Sequence, residues 1–95
     1  MWYIAPSSIH GVGVFTSRNL FPGEHVSIAI DKHLKITSFG SKINHSYSPN
    51  CTLGKNSDGS FGMYTFRHVP MHSELTLDYM YTPDFIKKPD PAWSR

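Results

Sequence analysis

Asn44-His45-Ser46-Tyr47-Ser48-Pro49-Asn50-Cys51 is the stretch on which the reading of this chain turns. Small polar residues crowd around a proline, a composition that closes tight loops through side-chain-to-backbone hydrogen bonds. Asn44 and His45 offer donors and acceptors that suit a purine edge. A plainer reading has Asn44 satisfying the backbone groups of neighbouring chain.

Downstream lies Glu74-Leu75-Thr76-Leu77-Asp78-Tyr79, followed by Met80-Tyr81. Strand alternation places Leu75, Leu77 and Tyr79 on one face and Thr76 and Asp78 on the other. A tyrosine ending such a strand is commonly a core residue whose hydroxyl reaches outward. Upstream, His10-Gly11-Val12-Gly13-Val14-Phe15 precedes a strand-like run. Two glycines one residue apart either make a simple turn or let the backbone approach a ligand closely. No third glycine opens a helix, so a dinucleotide fingerprint is excluded. On the ligand reading, Gly13→Val should abolish binding and leave the fold largely intact.

Around these motifs the chain reads as mostly β, with short β-branched and aromatic runs punctuated by glycine and proline. The expected strands are Trp2–Ala5, Val12–Ser17, His25–Ile30, Thr52–Lys55, Phe61–Phe66 and Glu74–Tyr79. Phe21-Pro22-Gly23-Glu24 reads as a turn, and Asn56-Ser57-Asp58-Gly59-Ser60 as a hairpin connection. The best helical candidate is a single stretch around Lys35–Lys42, weakened by Gly40. Residues 1–81 form the expected core. Residues 82–95, with Phe85, Ile86 and Trp93, form a tail that packs over the site or joins two copies.

Ninety-five residues make one domain. A chain this short buries about 60–65% of the surface its unfolded form exposes, so a second copy is a natural cover for leftover apolar surface. A hydrophobic content of 39% and an aromatic content of 14% fit a globular chain rather than a disordered one. The net charge of +2 is spread thinly, with Lys87-Lys88 the densest point, so a nucleic-acid footprint is excluded. The single cysteine, Cys51, excludes an internal disulfide framework and points to a reducing compartment. No apolar run approaches the roughly 20 residues a membrane span needs, and the N-terminus lacks a signal-like pattern. The expectation is an intracellular protein with no membrane partner.

In their order, the three motifs resemble those of the SET-domain lysine methyltransferases. There a GxG turn (here Gly11-Val12-Gly13), an Asn-His-Ser-x-x-Pro-Asn loop (Asn44 to Asn50) and a Glu-Leu-Thr-x-Asp-Tyr strand (Glu74 to Tyr79) follow one another. Gly23-Glu24 matches the family's early turn. The resemblance implies small β-sheets around a C-terminal pseudoknot, with the last strand threaded beneath the Asn-His-Ser loop. It implies S-adenosylmethionine as cofactor, bound by Gly11, Val12, Gly13, Asn44, His45 and the basic Lys42. Tyr79 falls on the family's catalytic tyrosine, and Tyr47, Leu77 and Tyr81 fall along the substrate channel.

The chain also departs from the family pattern. Only Asp31 to Ile43 separate Ile30 from the Asn-His-Ser loop, where most members carry a long insert that forms a groove wall and supplies another channel tyrosine. Flanking zinc-binding cysteines are absent, Cys51 reads as a buried filler, and Pro70 spoils the His68–His72 spacing, so no metal site is expected. Leu77 carries no hydroxyl, which leaves room for a dimethylated or trimethylated nitrogen. The implied substrate is a protein lysine, with a small polyamine in an open cleft, or a non-catalytic binding module, as the alternatives. A bare domain of this size also resembles the family's small viral members, which act as homodimers.

Overall fold

The computed structural model describes residues 1–83. Its elements in chain order are β1 (Trp2–Pro6), β2 (Val12–Thr16), β3 (His25–Ile30), α1 (Ser38–Ser41), β4 (Asn44–His45), β5 (Cys51–Lys55), β6 (Phe61–Thr65), β7 (Glu74–Leu77) and a 3₁₀ turn over Tyr79–Tyr81. The strand at His25–Ile30 lies where the sequence put it, and four others differ by one residue at one end. The tail containing Phe85, Ile86 and Trp93 lies outside the described residues. Among those described, no helix is long and apolar enough to cross a membrane.

Two sheets share the strands. One runs in the order β1-β2-β7-β4, and the other is β3-β6-β5. The hairpin joining β5 to β6 closes at Asn56–Ser60, where Gly59 takes a φ of +90° and its N–H donates to the Asn56 carbonyl at 3.0 Å. That is the Asp-Gly turn the sequence marks. Val14, Leu75 and Leu77 from the first sheet and Ile30, Cys51 and Met63 from the second belong to one core cluster, joined by Leu20 and Val69, which pair through a β-bridge.

The Glu74 strand ends two residues earlier than its sequence suggests. Asp78 breaks it, because its carboxylate accepts the Met80 N–H at 2.9 Å and caps the 3₁₀ turn that Tyr79 begins. Nor does the strand alternate. Leu75, Thr76 and Leu77 are all buried, so both faces of β7 are covered.

The loop that follows β4 grips β7 from both sides. β4 pairs with β7 in parallel, and the Ser46 N–H donates to the Leu77 carbonyl at 2.9 Å. Asn50 holds the other edge: its Nδ2 donates to the Glu74 carbonyl at 2.8 Å and its Oδ1 accepts the Thr76 N–H at 3.0 Å. Neighbouring residues of a strand direct their backbone groups to opposite edges, so residues 44–50 pass across β7 and enclose it. Threading of this kind is rare among folds. It is the pseudoknot that the family resemblance implies.

The short 31–43 segment is rebuilt as a compact turn. Asp31 Oδ1 accepts the N–H groups of His33 and Lys35 at 2.9 and 3.0 Å, and Leu34 adopts a φ of 63°. Thr37 then caps α1 by accepting the Gly40 N–H at 3.0 Å, while its hydroxyl donates to the Ile28 carbonyl at 2.7 Å. A Cβ at Gly40 would stand 2.2 Å from the Ala29 carbonyl oxygen. The glycine that weakens the helix in sequence is therefore what lets the helix dock on β3.

Candidate functional site

The GxG turn and the Asn44 loop meet through one side-chain network. Asn44 Nδ2 donates to the carbonyls of His10 and Val12 at 3.1 and 3.0 Å, to Ser7 Oγ at 3.1 Å and to Glu74 Oε2 at 2.8 Å. Its two hydrogens are shared among four acceptors. The Ser7 hydroxyl donates to Glu74 Oε1 at 2.7 Å, and the Ser7 N–H closes the turn onto the Gly11 carbonyl at 2.8 Å. The amide nitrogen of Asn44 is thus engaged with neighbouring chain, as the plainer reading had it.

The two glycines do different work. Gly11 has a φ of +47°, a left-handed conformation glycine adopts without strain, and a Cβ there would meet nothing within 4 Å. Its backbone borders open space. At Gly13 a Cβ would lie 2.2 Å from Glu74 Oε2 and 3.2 Å from Asn44 Nδ2. Gly13→Val must therefore displace the Glu74 carboxylate, the far end of a side chain that fills this space.

The second assembly surrounds Tyr79. Its N–H donates to His45 Nδ1 at 3.1 Å, and its hydroxyl donates to the Ile43 carbonyl. The His45 ring packs edge-on against Tyr47 at 4.3 Å and tilted against Tyr79 at 5.2 Å. His45 is only 5% exposed, its imidazole packed against the two tyrosine rings. Burial holds the imidazole pKa below the ordinary histidine value, and the Asp78 carboxylate, 3.9 Å from Nδ1, offsets part of that. Burial also pushes the Tyr79 phenol above its ordinary value, so the hydroxyl is neutral at physiological pH.

Tyr47, Leu77 and Tyr81, the residues placed along a channel by the resemblance, line one cleft of about 340 Å³ together with Pro49, Leu53, Phe66 and Asp78. Leu77 is buried in its wall, and Tyr81, at 84% exposure, stands at its rim. Cys51 lies at the floor, 1% exposed, with its thiol pushed up to about 12 by burial, an inert filler as the sequence suggests. Tyr79 stands in the chain between the cleft residues Asp78 and Tyr81, and its hydroxyl reaches back to the residue before Asn44. It thereby links the cleft to the turn assembly. Lys42, a half-buried residue, caps α1 through its backbone, and no described residue bonds its ammonium.

Sequence reasoning missed Ser7 and the role of Glu74. Glu74 stands in a quoted motif, yet nothing local announces that its carboxylate crosses to the GxG turn. Ser7 carries no signal in the sequence.

A family model for the SET domain matches residues 27–80, more than half of the chain. The mostly β fold agrees with that match, and the chain belongs to the SET-domain family. No curated protein matches it. Among solved structures it is similar to a Plasmodium falciparum protein described as a "putative histone methyltransferase", at 24% identity over 79% of this chain and 89% of that one, with a TM-score of 0.61. At that identity the likeness speaks to the fold alone. The Gly11–Gly13 turn lies outside the matched residues, and its place beside Asn44 comes from the structure.

Proposed function

We propose that this protein is an S-adenosylmethionine-dependent N-methyltransferase acting on an aliphatic amine, foremost a protein lysine. Membership of the SET-domain family supports methyl transfer in general. The observation that carries the finer reading is Tyr79, which follows the cleft residues Leu77 and Asp78 and whose hydroxyl donates to the Ile43 carbonyl beside Asn44.

The residues present fit such a cofactor. The open backbone at Gly11, the sheet-edge strand β4 and the Lys42 ammonium provide hydrogen-bonding groups and a cation suited to a purine and a carboxylate. S-adenosylmethionine supplies a methyl carbon on a sulfonium, open to in-line attack by a neutral amine. The chain's own contribution is positioning. An amine entering between Tyr47, Leu77 and Tyr81 meets apolar and aromatic walls that disfavour its ammonium form. The Tyr79 hydroxyl, its proton committed to the Ile43 carbonyl, presents oxygen lone pairs to orient the amine, and being neutral it is no strong base. Leu77 places no hydroxyl in the wall, which favours products beyond the monomethyl state.

A second reading, methylation of a small polyamine, is favoured by the compact 31–43 turn, which leaves the cleft without a long peptide-binding wall, and by Asp78 in its lining. A labelled-methyl assay with histones, lysate proteins and polyamines separates the readings. Label on protein lysine supports the first, and label on polyamine alone supports the second. Cofactor binding with no transfer to any of them leaves a non-catalytic module and overturns both.

A further inference from the structure

We infer that Glu74 is a positioning residue for the cofactor turn, its carboxylate seated on Gly13 and tying residues 7–13 to Asn44. The inference rests on the cofactor reading above.

The carboxylate joins three segments distant in sequence. Oε1 accepts the Ser7 hydroxyl at 2.7 Å and Oε2 accepts Asn44 Nδ2 at 2.8 Å. Each partner in turn holds the turn: Ser7 Oγ accepts the N–H groups of Ile9 and His10 at 2.9 and 3.4 Å, and Asn44 Nδ2 reaches the His10 and Val12 carbonyls. Hydrogen bonds to an ionised carboxylate are about twice as strong as neutral ones, so this group is the strongest tie in the set. Gly13 leaves the space it occupies, since any Cβ there would overlap Oε2. Glu74 also stands opposite Phe15 in the β2–β7 register, and its carbonyl is held by Asn50 Nδ2. Its backbone is thus fixed independently of its carboxylate.

Tyr79 is held by different groups, the Ile43 carbonyl and the His45 ring. Loss of the Glu74 carboxylate should therefore loosen the turn while sparing the chemical centre. Glu74→Gln keeps an acceptor for Asn44 but removes the charge and turns an N–H₂ toward Ser7 Oγ, whose lone pairs are already engaged. Glu74→Asp, one methylene shorter, withdraws from both partners.

Calorimetric titration and steady-state kinetics with S-adenosylmethionine test this. Glu74→Asp should raise Kd and KM for the cofactor at least ~10-fold with kcat lowered less than ~3-fold, and Glu74→Gln should shift Kd and KM in the same direction by a smaller factor. A wild type that binds alongside an Asp variant that binds equally well overturns the role of Glu74, as does a loss confined to kcat. A wild type that fails to bind sinks the cofactor reading itself. Thermal melting tests the seat independently of cofactor. Gly13→Ala should lower Tm more in the wild type than in Glu74→Ala, because the second variant removes the clashing carboxylate. Equal drops in the two backgrounds overturn the seat.

Discussion

The Tyr79 N–H donates to His45 Nδ1 at 3.1 Å, which makes the histidine an acceptor at that nitrogen and fixes its ring as neutral, with the proton on Nε2. The residue named for cofactor contact and the residue named for catalysis are therefore joined directly.

That bond sets a pH dependence. The folded-state pKa of His45 lies below the ordinary value of about 6.5, so the folded protein binds fewer protons there than the unfolded chain. Its contribution to stability is complete above the unfolded pKa and is lost as pH falls through the folded one. NMR titration of the imidazole should give a midpoint below that of a free histidine, and the urea midpoint should fall between pH 7 and pH 5 by more in wild type than in His45→Gln. A midpoint at or above the free value would remove His45 from this role.

Removing the Tyr79 hydroxyl tests the chemical centre. Tyr79→Phe should lower kcat at least ~10-fold with little change in cofactor Kd, the pattern of a group used in the chemical step. Because burial raises the phenol's pKa, the tyrosine stays protonated through the alkaline assay range. Wild-type rate should then rise with pH as the substrate amine loses its proton, without a descending limb from Tyr79 below pH ~10. Unchanged kcat and KM in the Phe variant would end the catalytic assignment.

The hold of the loop on β7 depends on one side chain. Asn50→Asp keeps the acceptor for the Thr76 N–H but turns a carboxylate oxygen toward the Glu74 carbonyl. The expected loss is about 1–3 kcal/mol in chemical denaturation. Amide exchange at Thr76 should accelerate as well. Wild-type stability in this variant would mean that the enclosure does not rest on Asn50.

Gly40→Ala separates propensity from packing. In an open helix the change would stabilise by up to about 1 kcal/mol. Here the new methyl would stand 2.2 Å from the Ala29 carbonyl oxygen, and α1 must shift off β3 to admit it. A net loss of about 1–3 kcal/mol is expected by urea denaturation. A higher midpoint would show that the helical turn carries little of the rebuilt 31–43 segment.

Much of this could be read before folding was considered. The strands, the Asp58-Gly59 hairpin and the Phe21–Glu24 turn are local matters, set by β-branched and aromatic runs and by residues that tolerate special backbone angles. The three motifs carried the family, because their order and spacing survive in one dimension. The end of β7 did not, since only the cap at Met80 reveals that Asp78 outcompetes strand pairing.

What the sequence by itself determined is therefore the element types, the family and the candidate residues: Gly11, Gly13, Asn44, His45 and Tyr79. The tertiary structure decided what each of them touches. Asn44 meets Ser7 across 37 positions, Ser7 meets Glu74 across 67, and Tyr79 meets Ile43 across 36. No local preference encodes such contacts. They exist because residues 44–50 enclose β7 and bring both of its edges against distant chain, and there burial leaves each polar group only the partners that the fold supplies.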